Sequence, residues 1–430
     1  MKINTAPTTS PTVTTDITAA ALPTVVAGMF DRDPDGFYRG RVTGLSEHTQ
    51  REMQADYAGF VNKLVAAVIK GTYIPDYLGL VAAAKSKGGH RLITAPRDRD
   101  RIVQAAVNDI VAPRLDYLFH ERSFGFRRGR GVHAALLTLE RLLNSGDYDV
   151  VIAADVVRCY ASITIADLMS QYKLYVKDEA LMAAIEASYR ARPHPALIRR
   201  VERELQRGGA ATPADFDNLR ALGQSERGLP EGSPLSPLGC LIFLRPLVND
   251  LARIRGTDFI HYADNLLVLA RRRDANQVVR HVQAAGRRLG LHLTAETPVA
   301  WEDHTQVEFL GHLVTCRGGR AIFKVTPRTL KRLTNKITNA VTYLPVGADL
   351  RLELRSTALP FVAAYSLATP EPVMAAIAAA TSRLLNHEDV GWLLREAETL
   401  HARLSNAHRR QQTVIADPND GMDTGERRPK

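Results

Sequence analysis

The chain has 430 residues, 45% hydrophobic and 24% charged, which is typical of a globular protein with two or three packed units. The formal net charge of +10 favours a polyanionic partner, and nucleic acid is the first candidate. The sequence contains no apolar run of ~18 residues, so we expect no membrane span and a cytoplasmic location.

Helices and strands alternate along most of the chain. Residues 1–27 and 411–430 are predicted to be flexible. Apolar residues at helical spacing predict helices over 47–70, 98–115, 132–143, 274–289, most of 165–222, and almost everything from 324 to 409. Strands are predicted after the basic Gly turn at 85–89 and over 148–155, 257–270 and 306–315. The mixture predicts an α+β fold with a helical C-terminal part.

Two acids occupy strand ends. Asp155 ends the run "VVIAAD", and Asp264 lies in the turn of the hairpin "FIHYADNLLVLA". If these strands are neighbours, both carboxylates emerge at one edge of the sheet, and a bound Mg²⁺ would relieve their repulsion. Two such ions could support phosphoryl transfer. The alternative is two ordinary exposed strand ends.

A Gly/Pro-rich loop, "GLPEGSPLSP", runs from Gly228 to Pro237 and leads into an apolar helix. Its glycines permit close backbone approach and its prolines stiffen the chain, which suits packing against a flat ligand such as a base pair. The alternative is a helix-capping loop, for which Ser236 before Pro237 provides a start. The three cysteines are far apart, which predicts reduced thiols and no zinc site.

Six segments together resemble the motifs of reverse transcriptases, in that family's order. The palm-like segments are "VVIAADVVRCYASI", "GLPEGSPLSPLGCLIFL", "FIHYADNLLVLA" and "VEFLGHLV". The upstream segments "GGHRLITAPRDRDRIVQAAV" and "HERSFGFRRGRGVHAAL" are similar to fingers of the group II intron type. That type also occurs in bacterial stand-alone enzymes, some of them associated with phage defence. The resemblance covers about residues 50–345.

The resemblance implies a right-hand polymerase with fingers, palm and thumb. We expect fingers over 28–147, a palm over 148–325 with a helical insertion at 165–227, and a thumb with a helical extension over 326–410. We expect no large maturase-plus-endonuclease region in the C-terminal part, which disfavours mobility by retrohoming.

Functional residues follow from the same resemblance, position by position. Asp155 and Asp264 match the catalytic aspartates, with the Val156 carbonyl and Asn265 as further ligands of Mg²⁺ or, alternatively, Mn²⁺. Tyr160 matches the aromatic residue that excludes a ribose 2′-OH and so selects dNTPs; otherwise it is a core aromatic. The remaining residues matched to nucleotide binding are Lys87, Arg91, Glu231 and Gly232; the alternative for Lys87 is a solvated lysine of the turn. Those matched to primer and template are Arg122, Arg127, Arg128, Arg130, Ser233, Phe309, Leu310 and Gly311.

A cationic helix face follows the last motif. Thr326 and Pro327 form a good helix start, and Leu330, Leu333 and Ile337 share one face of the predicted helix. The basic residues on the other face are Arg328, Lys331, Arg332 and Lys336. Periodicity alone does not separate a solvated face from a phosphate-binding one. The helix follows "VEFLGHLV", the segment that matches the family's primer-grip strand, and this place favours contact with the duplex.

Three positions depart from the family pattern. Asn265 stands where the family has a second aspartate, Glu231 stands where it has glutamine, and the usual "EKT" lysine is absent from "LHLTAETP". The leading hypothesis is an RNA-directed DNA polymerase that uses two metal ions, dNTPs and an RNA template or non-coding RNA, with a protein partner or oligomer allowed. The alternatives are a polymerase-fold RNA-binding protein with little catalysis, and untemplated or protein-primed synthesis.

Overall fold

A computed structural model of the chain describes residues 17–33, 36–85, 88–224, 226–344, 347–382, 385 and 387–416. Lys87, expected to bind nucleotide, lies outside the described residues.

Helices make up most of the described chain. The first eight are α1 (Leu22–Ala27), α2 (Glu47–Ala55), α3 (Tyr57–Ile69), α4 (Asp98–Leu115), α5 (Val132–Asn144), α6 (Cys159–Ser162), α7 (Ile165–Tyr172) and α8 (Glu179–Arg190). The next eight are α9 (Pro195–Gly208), α10 (Pro213–Gln224), α11 (Ser236–Leu251), α12 (Ala275–Arg288), α13 (Pro327–Thr342), α14 (Leu350–Ala364), α15 (Glu371–Thr381) and α16 (His387–Ala416). Short 3₁₀ turns lie at Ala19–Ala21, Asp116–Leu118 and Arg272–Asp274.

Strands form four antiparallel sheets within the described residues. The first six strands are β1 (Phe30–Arg32), β2 (Tyr38–Gly40), β3 (Gly79–Ala84), β4 (His90–Ala95), β5 (Val150–Val156) and β6 (Asp258–Tyr262). The others are β7 (Asn265–Ala270), β8 (Leu293–Ala295), β9 (Val299–Ala300), β10 (Gln306–Phe309), β11 (His312–Arg317) and β12 (Arg320–Val325). The mixture of helices and antiparallel sheets confirms the α+β class.

The chain divides into two compact units. The first contains the described residues up to His120 together with Arg158–Pro246, and the second contains Glu121–Val157 and the chain from Leu247 onward. In the first unit, β3 and β4 form a hairpin, and Leu80 packs with Val201, Leu205 and Leu219 of the helical segment.

The second unit contains the larger sheet, in the strand order β6-β7-β5-β8, with β9 also pairing with β5. Strand β7 is buried along nearly its whole length, as expected of a strand that is paired on both sides. Its core continues through the sheet β10-β11-β12 into α13, α14 and α15, through buried residues such as Phe323, Leu333 and Leu354.

Local capping and turn geometry override several sequence expectations. The single helix expected over 47–70 is two, because the Asp56 carboxylate caps α3 by accepting a hydrogen bond from the Gly59 amide at 2.8 Å. The single strand expected over 306–315 is a hairpin, whose turn at Leu310-Gly311 has φ of 49° and 76°. Strand β3 was not predicted, because "GLVAAA" has a single β-branched residue, Val81, and no aromatic residue.

Both terminal expectations also need correction. Residues 19–27 of the expected flexible segment 1–27 are helical, because Ala19, Leu22 and Val26 are buried; residues 1–16 lie outside the described residues. Helix α16 extends to Ala416, past the expected end near 410; residues 417–430 lie outside the described residues. All three cysteines are buried and free, which confirms the expectation of reduced thiols. Within the described chain, no helix is both long and apolar enough to cross a membrane.

Candidate active site

Two aspartates lie at one edge of the larger sheet of the second unit. The register of β5 and β7 sets Asp155 opposite Asn265, so Asp264 is the residue next to this pair. The Val156 amide donates to the Asp264 carbonyl at 3.0 Å, which extends the pairing by one more hydrogen bond. Strands β5 and β7 are therefore neighbours, and both carboxylates emerge at the same end of the sheet.

Ionisation of the Asp155 carboxyl is disfavoured at this edge of the sheet. Desolvation first, and the charge of Asp264 second, raise the pKa of Asp155 from 3.8 to about 6. Within the described chain, neither aspartate forms an ion pair with an arginine or lysine. A divalent cation bound between them would remove this repulsion.

The oxygen donors at this edge fit a hard cation. They are the carboxylates of Asp155 and Asp264, and the main-chain carbonyl of Val156 stays a predicted third ligand. No group of three or more His, Cys, Asp or Glu side chains suited to a metal occurs among the described residues. An ion held here would therefore keep ligands from water or from a substrate, as Mg²⁺ does when it binds through one or two carboxylates and phosphate oxygens.

Asn265 holds the neighbouring carboxylate. Its Nδ2 donates a hydrogen bond to Asp264 Oδ1 at 3.1 Å, which an ionised aspartate at this position could not do. The loop residues of the hairpin are Ala263 and Asp264, and Asn265 begins β7. Ala263 has φ of 58°, a strained value for a residue with a Cβ, which suits the first position of a tight hairpin turn.

The His261 side chain holds this turn in place through hydrogen bonds. The sequence patterns did not identify this residue. Its Nε2 lies 2.7 Å from the Ala263 carbonyl and must donate there, so Nδ1 accepts from the Ser123 hydroxyl at 2.7 Å. Complete burial lowers the pKa of His261 to about 4, with a smaller contribution from the Arg127 charge. The ring is therefore neutral near pH 7 and joins two segments of the second unit.

The segment 122–125 packs directly against the hairpin. The Phe124 amide donates to the His261 carbonyl, and the His261 amide donates to the Arg122 carbonyl, both at 2.9 Å. A Cβ added to Gly125 would lie 2.6 Å from the Ala263 backbone nitrogen. Glycine is therefore required at position 125 by the close approach of two backbones.

Three of the four arginines that were expected to contact template form hydrogen bonds within the protein. Arg122 binds Asp258 through two hydrogen bonds of 2.8 and 3.0 Å. Arg127 is buried and donates to the Ser123 carbonyl, which argues against phosphate contact by this residue. Arg130 donates to the Glu121 carbonyl and lies over the Phe124 ring. Arg128 is exposed, and its template contact stays a prediction.

In the first unit, the expected nucleotide-binding residues lie on β4 and on the Gly/Pro-rich loop. Arg91 Nε donates to Glu231 Oε2 at 2.6 Å. The Gly232 amide donates to the Thr94 carbonyl at 2.8 Å, and a Cβ on Gly232 would lie 2.7 Å from that of Ala95. Glu231, which stands where the family has glutamine, thus pairs with Arg91, the residue expected to bind the triphosphate.

Tyr160 and Ser233, two further residues with a predicted role, form hydrogen bonds that hold the Gly/Pro-rich loop in place. The Leu229 amide donates to the Tyr160 carbonyl at 2.9 Å, and the Tyr160 side chain is half-buried. Ser233, expected to contact primer or template, is buried and donates to Gln104 Oε1 at 2.8 Å. The Ser233 hydroxyl is thus used inside the fold, and contact of Ser233 with primer or template stays a prediction.

The primer-grip match and the cationic helix both lie in the second unit. Phe309 is buried, while Leu310 and Gly311 form the turn between β10 and β11. Helix α13 buries Leu333 and Ile337, as predicted from its periodicity. Its exposed side chains include Arg328, Lys331, Arg332 and Lys336.

Several known proteins are similar in sequence to this chain. The chain is 22% identical over 289 residues to the putative COX1/OXI3 intron 1 protein of Saccharomyces cerevisiae, covering 60% of this chain and 34% of the relative. It is 28% identical over 119 residues to the group II intron-encoded protein LtrA of Lactococcus lactis subsp. cremoris, covering 27% and 20%. It is also 28% identical over 174 residues to protein YkfC of Escherichia coli, covering 40% and 46%.

The chain thus spans less than half the length of each of these relatives. Residues 83–314, more than half of the chain, match the family described as reverse transcriptase (RNA-dependent DNA polymerase). This region includes the paired aspartates, the hairpin that carries one of them, and the Gly/Pro-rich loop. The chain belongs to the reverse transcriptase family.

Proposed function

We propose that this chain is an RNA-directed DNA polymerase that adds dNTPs to a primer 3′-OH. The supporting observation is the pair Asp155 and Asp264, which lie at adjoining strand ends without a cationic partner in the described chain. Family membership supports the same reaction class. The proposal includes a right-hand arrangement with fingers over 28–147, palm over 148–325 and thumb with extension over 326–410.

Each group at the site has a distinct proposed role. Bound Mg²⁺, or Mn²⁺, would supply Lewis-acid stabilisation of the attacking and leaving oxygens. Asp155 and Asp264 would hold the ions, and Asn265 keeps the Asp264 carboxylate oriented. In the reaction, the primer 3′-oxygen bonds to the α-phosphorus as pyrophosphate leaves, and the hydroxyl proton passes to solvent.

Two residues of the first unit would select the nucleotide. Arg91 would supply charge-assisted hydrogen bonds to the triphosphate. Tyr160 would reject a ribose through a clash between its ring and the 2′-OH. Both roles are proposals from the family match.

The direct test uses the purified full-length chain with a DNA-primed RNA of mixed sequence, four dNTPs and Mg²⁺. We expect a DNA product complementary to the template, and none when template is omitted. Product made after nuclease removal of all nucleic acid would favour untemplated or protein-primed synthesis. Failure to extend primed RNA or DNA with either Mg²⁺ or Mn²⁺ would refute the proposal.

The concentration of Mg²⁺ needed for half-maximal activity should rise as pH falls. The Asp155 carboxyl has a pKa of about 6 without metal, so protons compete with the cation below that pH. For one competing proton we expect roughly a twofold rise at pH 6 and about a fourfold rise at pH 5.5. Mg²⁺ titrations of the initial rate at each pH measure this. Equal half-saturation at pH 8 and 5.5 would contradict the role of Asp155.

A second candidate function is RNA binding with little catalysis, which the contact between Glu231 and Arg91 favours. A carboxylate that accepts from Arg91 at 2.6 Å must be displaced before a triphosphate can use that guanidinium. If so, Glu231→Gln should lower the KM for dNTPs several-fold, because it weakens the competing ion pair. Glu204→Gln removes a similar pair with Arg200 on α9 and should leave KM unchanged.

The same variant separates the two candidates. A chain that extends primers, with a KM that falls in Glu231→Gln, is a polymerase that Glu231 restrains. A chain that binds RNA tightly but extends no primer, even with Glu231→Gln, is the RNA-binding alternative. An anti-phage role and a non-coding RNA partner remain predictions of the family resemblance.

A further inference from the structure

Two buried cysteines of the first unit lie side by side. Cys159 is the first residue of α6, and Cys240 lies in the first half of α11. Their Sγ atoms are 3.5 Å apart, although 81 positions separate the two residues in the chain. Only 3% of Cys159 and 0% of Cys240 are exposed, so neither thiol is a surface group. The third cysteine, Cys316, belongs to the second unit.

The separation of the two sulphur atoms is close to what a disulfide requires. A disulfide bond is about 2.05 Å long, so the two Sγ atoms must approach each other by about 1.5 Å. Rotation of each cysteine side chain about its Cα–Cβ bond can supply part of this approach. The rest must come from movement of the backbone on one side of the pair.

The backbone of α6 is the side that can move. Helix α6 has four residues, whereas α11 has 16. Two hydrogen bonds fix the start of α11. Ser236 Oγ donates to the Pro230 carbonyl at 2.7 Å, and Tyr189 Oη donates to the Leu235 carbonyl at 2.8 Å. A bond between the two sulphur atoms would therefore displace α6 more than α11.

Movement of α6 would reach the segments that are proposed to select the nucleotide. Tyr160 follows Cys159 directly, and its carbonyl accepts a hydrogen bond from the Leu229 amide at 2.9 Å. Just after α6, the Ile163 carbonyl accepts from the Gly228 amide, also at 2.9 Å. Helix α6 is thus bonded at two points to the Gly/Pro-rich loop. Its displacement would shift both the Tyr160 ring and this loop.

A small cavity in the first unit gives an oxidant a route towards the pair. Its volume is about 90 Å³, and its lining includes Arg158 and Ala161, which lie on either side of Cys159 in the chain. Roughly 10–15 Å³ of such space holds a water molecule. Hydrogen peroxide is little larger than water and fits a cavity of this size. Burial slows the first reaction, because the thiolate is the reactive form and must be reached.

We propose that Cys159 and Cys240 are an oxidisable pair, which forms a disulfide when the protein meets a peroxide. One thiol, as its thiolate, attacks a peroxide oxygen, the O–O bond breaks, and a sulfenic acid and one water result. The second thiol, 3.5 Å away, attacks that sulphur, the S–O bond breaks, and a second water leaves. The pair thus loses two electrons and two protons, and one peroxide is reduced to two waters.

The consequence for nucleotide selection rests on the proposed function, whereas formation of the bond does not. If the Tyr160 ring excludes the ribose 2′-OH, its displacement should weaken discrimination between dNTPs and ribonucleotides. The bond is measured on the protein alone, and the consequence is measured on the reaction. The two proposals can therefore fail separately.

Mass spectrometry of the full-length chain tests the bond directly. The chain is treated with hydrogen peroxide, unfolded in the presence of N-ethylmaleimide and digested. We expect all three cysteines to be labelled before oxidation and Cys316 alone afterwards, with one peptide that links Cys159 to Cys240. Dithiothreitol should restore full labelling, which a sulfinic acid would not permit.

Primer extension measures the consequence of the bond. In the oxidised wild-type chain we expect the KM for dNTPs to rise at least about fivefold and discrimination against ribonucleotides to fall, since misplaced groups lose rate steeply. Dithiothreitol should reverse both changes. Cys240→Ala should extend primers equally well before and after peroxide. Cys316→Ala is the matched control and should respond as the wild type does. Thermal unfolding checks that both variants fold, and the labelling of the wild-type chain depends on neither.

Four outcomes decide the proposal. Full labelling of all three cysteines after peroxide would show two packed thiols that stay reduced. A sulfinic acid in place of the link, or a link to Cys316, would refute the pairing. An unchanged KM and unchanged discrimination in the linked chain would separate the bond from nucleotide selection. A link that forms in a chain that extends no primer, reduced or oxidised, would support the pair and count against the polymerase function.

Discussion

Replacing Asp264 with alanine is expected to abolish dNTP incorporation on a primed RNA template. The change removes one of the two carboxylates at the sheet edge and leaves Asn265 without its acceptor. Bound metal ions stabilise the transition state of such a reaction by several kcal/mol. Loss of the metal site should therefore lower the rate on the order of 10³-fold or more. Single-turnover extension of a labelled primer measures this.

The matched control and the folding check make this result specific. Asp217→Ala removes an exposed carboxylate whose partner is Arg220, and it should leave the rate unchanged. The metal-free Asp264→Ala protein should unfold at no lower temperature than wild type, because the repulsion with Asp155 is gone. Substantial extension by Asp264→Ala would remove Asp264 from the proposed mechanism.

Replacing Gly125 with alanine should reduce both stability and activity, although position 125 carries no reactive group. The new methyl group would lie 2.6 Å from the Ala263 backbone nitrogen, and backbone cannot move aside as a flexible side chain can. Overpacking of this kind costs roughly 1–3 kcal/mol. Because the displaced residue precedes Asp264, primer extension should fall by at least about tenfold, since misplaced catalytic groups lose rate steeply.

Gly131→Ala is the matched control in the same segment. A Cβ at Gly131 would meet nothing within 4 Å, and its φ of −153° suits any residue. Denaturant unfolding gives the change in stability, and extension rates give the change in activity. If Gly125→Ala matched Gly131→Ala in both measurements, close packing of this segment on the hairpin would be wrong.

The sequence was sufficient to predict features that depend on periodicity. The apolar runs before Asp155 and around Asp264 indicated buried strands, and pairing of these strands brings the acids together. The alternation of leucines and cations over 328–337 predicted a helix with one buried face, as α13 has. Both features follow from which residues must leave water.

Features set by single contacts could not be predicted in this way. Leu310-Gly311 is flanked by strand-like residues on both sides, so only the glycine signalled a turn. Sequence does not distinguish an arginine that binds a phosphate from one that binds Asp258, as Arg122 does. The approach of Gly125 to Ala263 joins positions far apart in the chain, and no local pattern encodes it.

The neutral His261 imidazole that supports the hairpin limits the acid tolerance of the proposed catalytic centre. Because folding lowers the pKa of His261 from 6.5 to about 4, the unfolded chain binds more protons than the folded one within that range. Stability therefore falls as pH drops from 6.5 towards 4, by up to roughly 3 kcal/mol from this residue alone. Asp155 acts in the opposite sense, since its raised pKa favours the folded state on acidification. Acidification would thus relieve the repulsion between the aspartates, while protonation of His261 would remove its Nδ1 as the acceptor of the Ser123 hydroxyl.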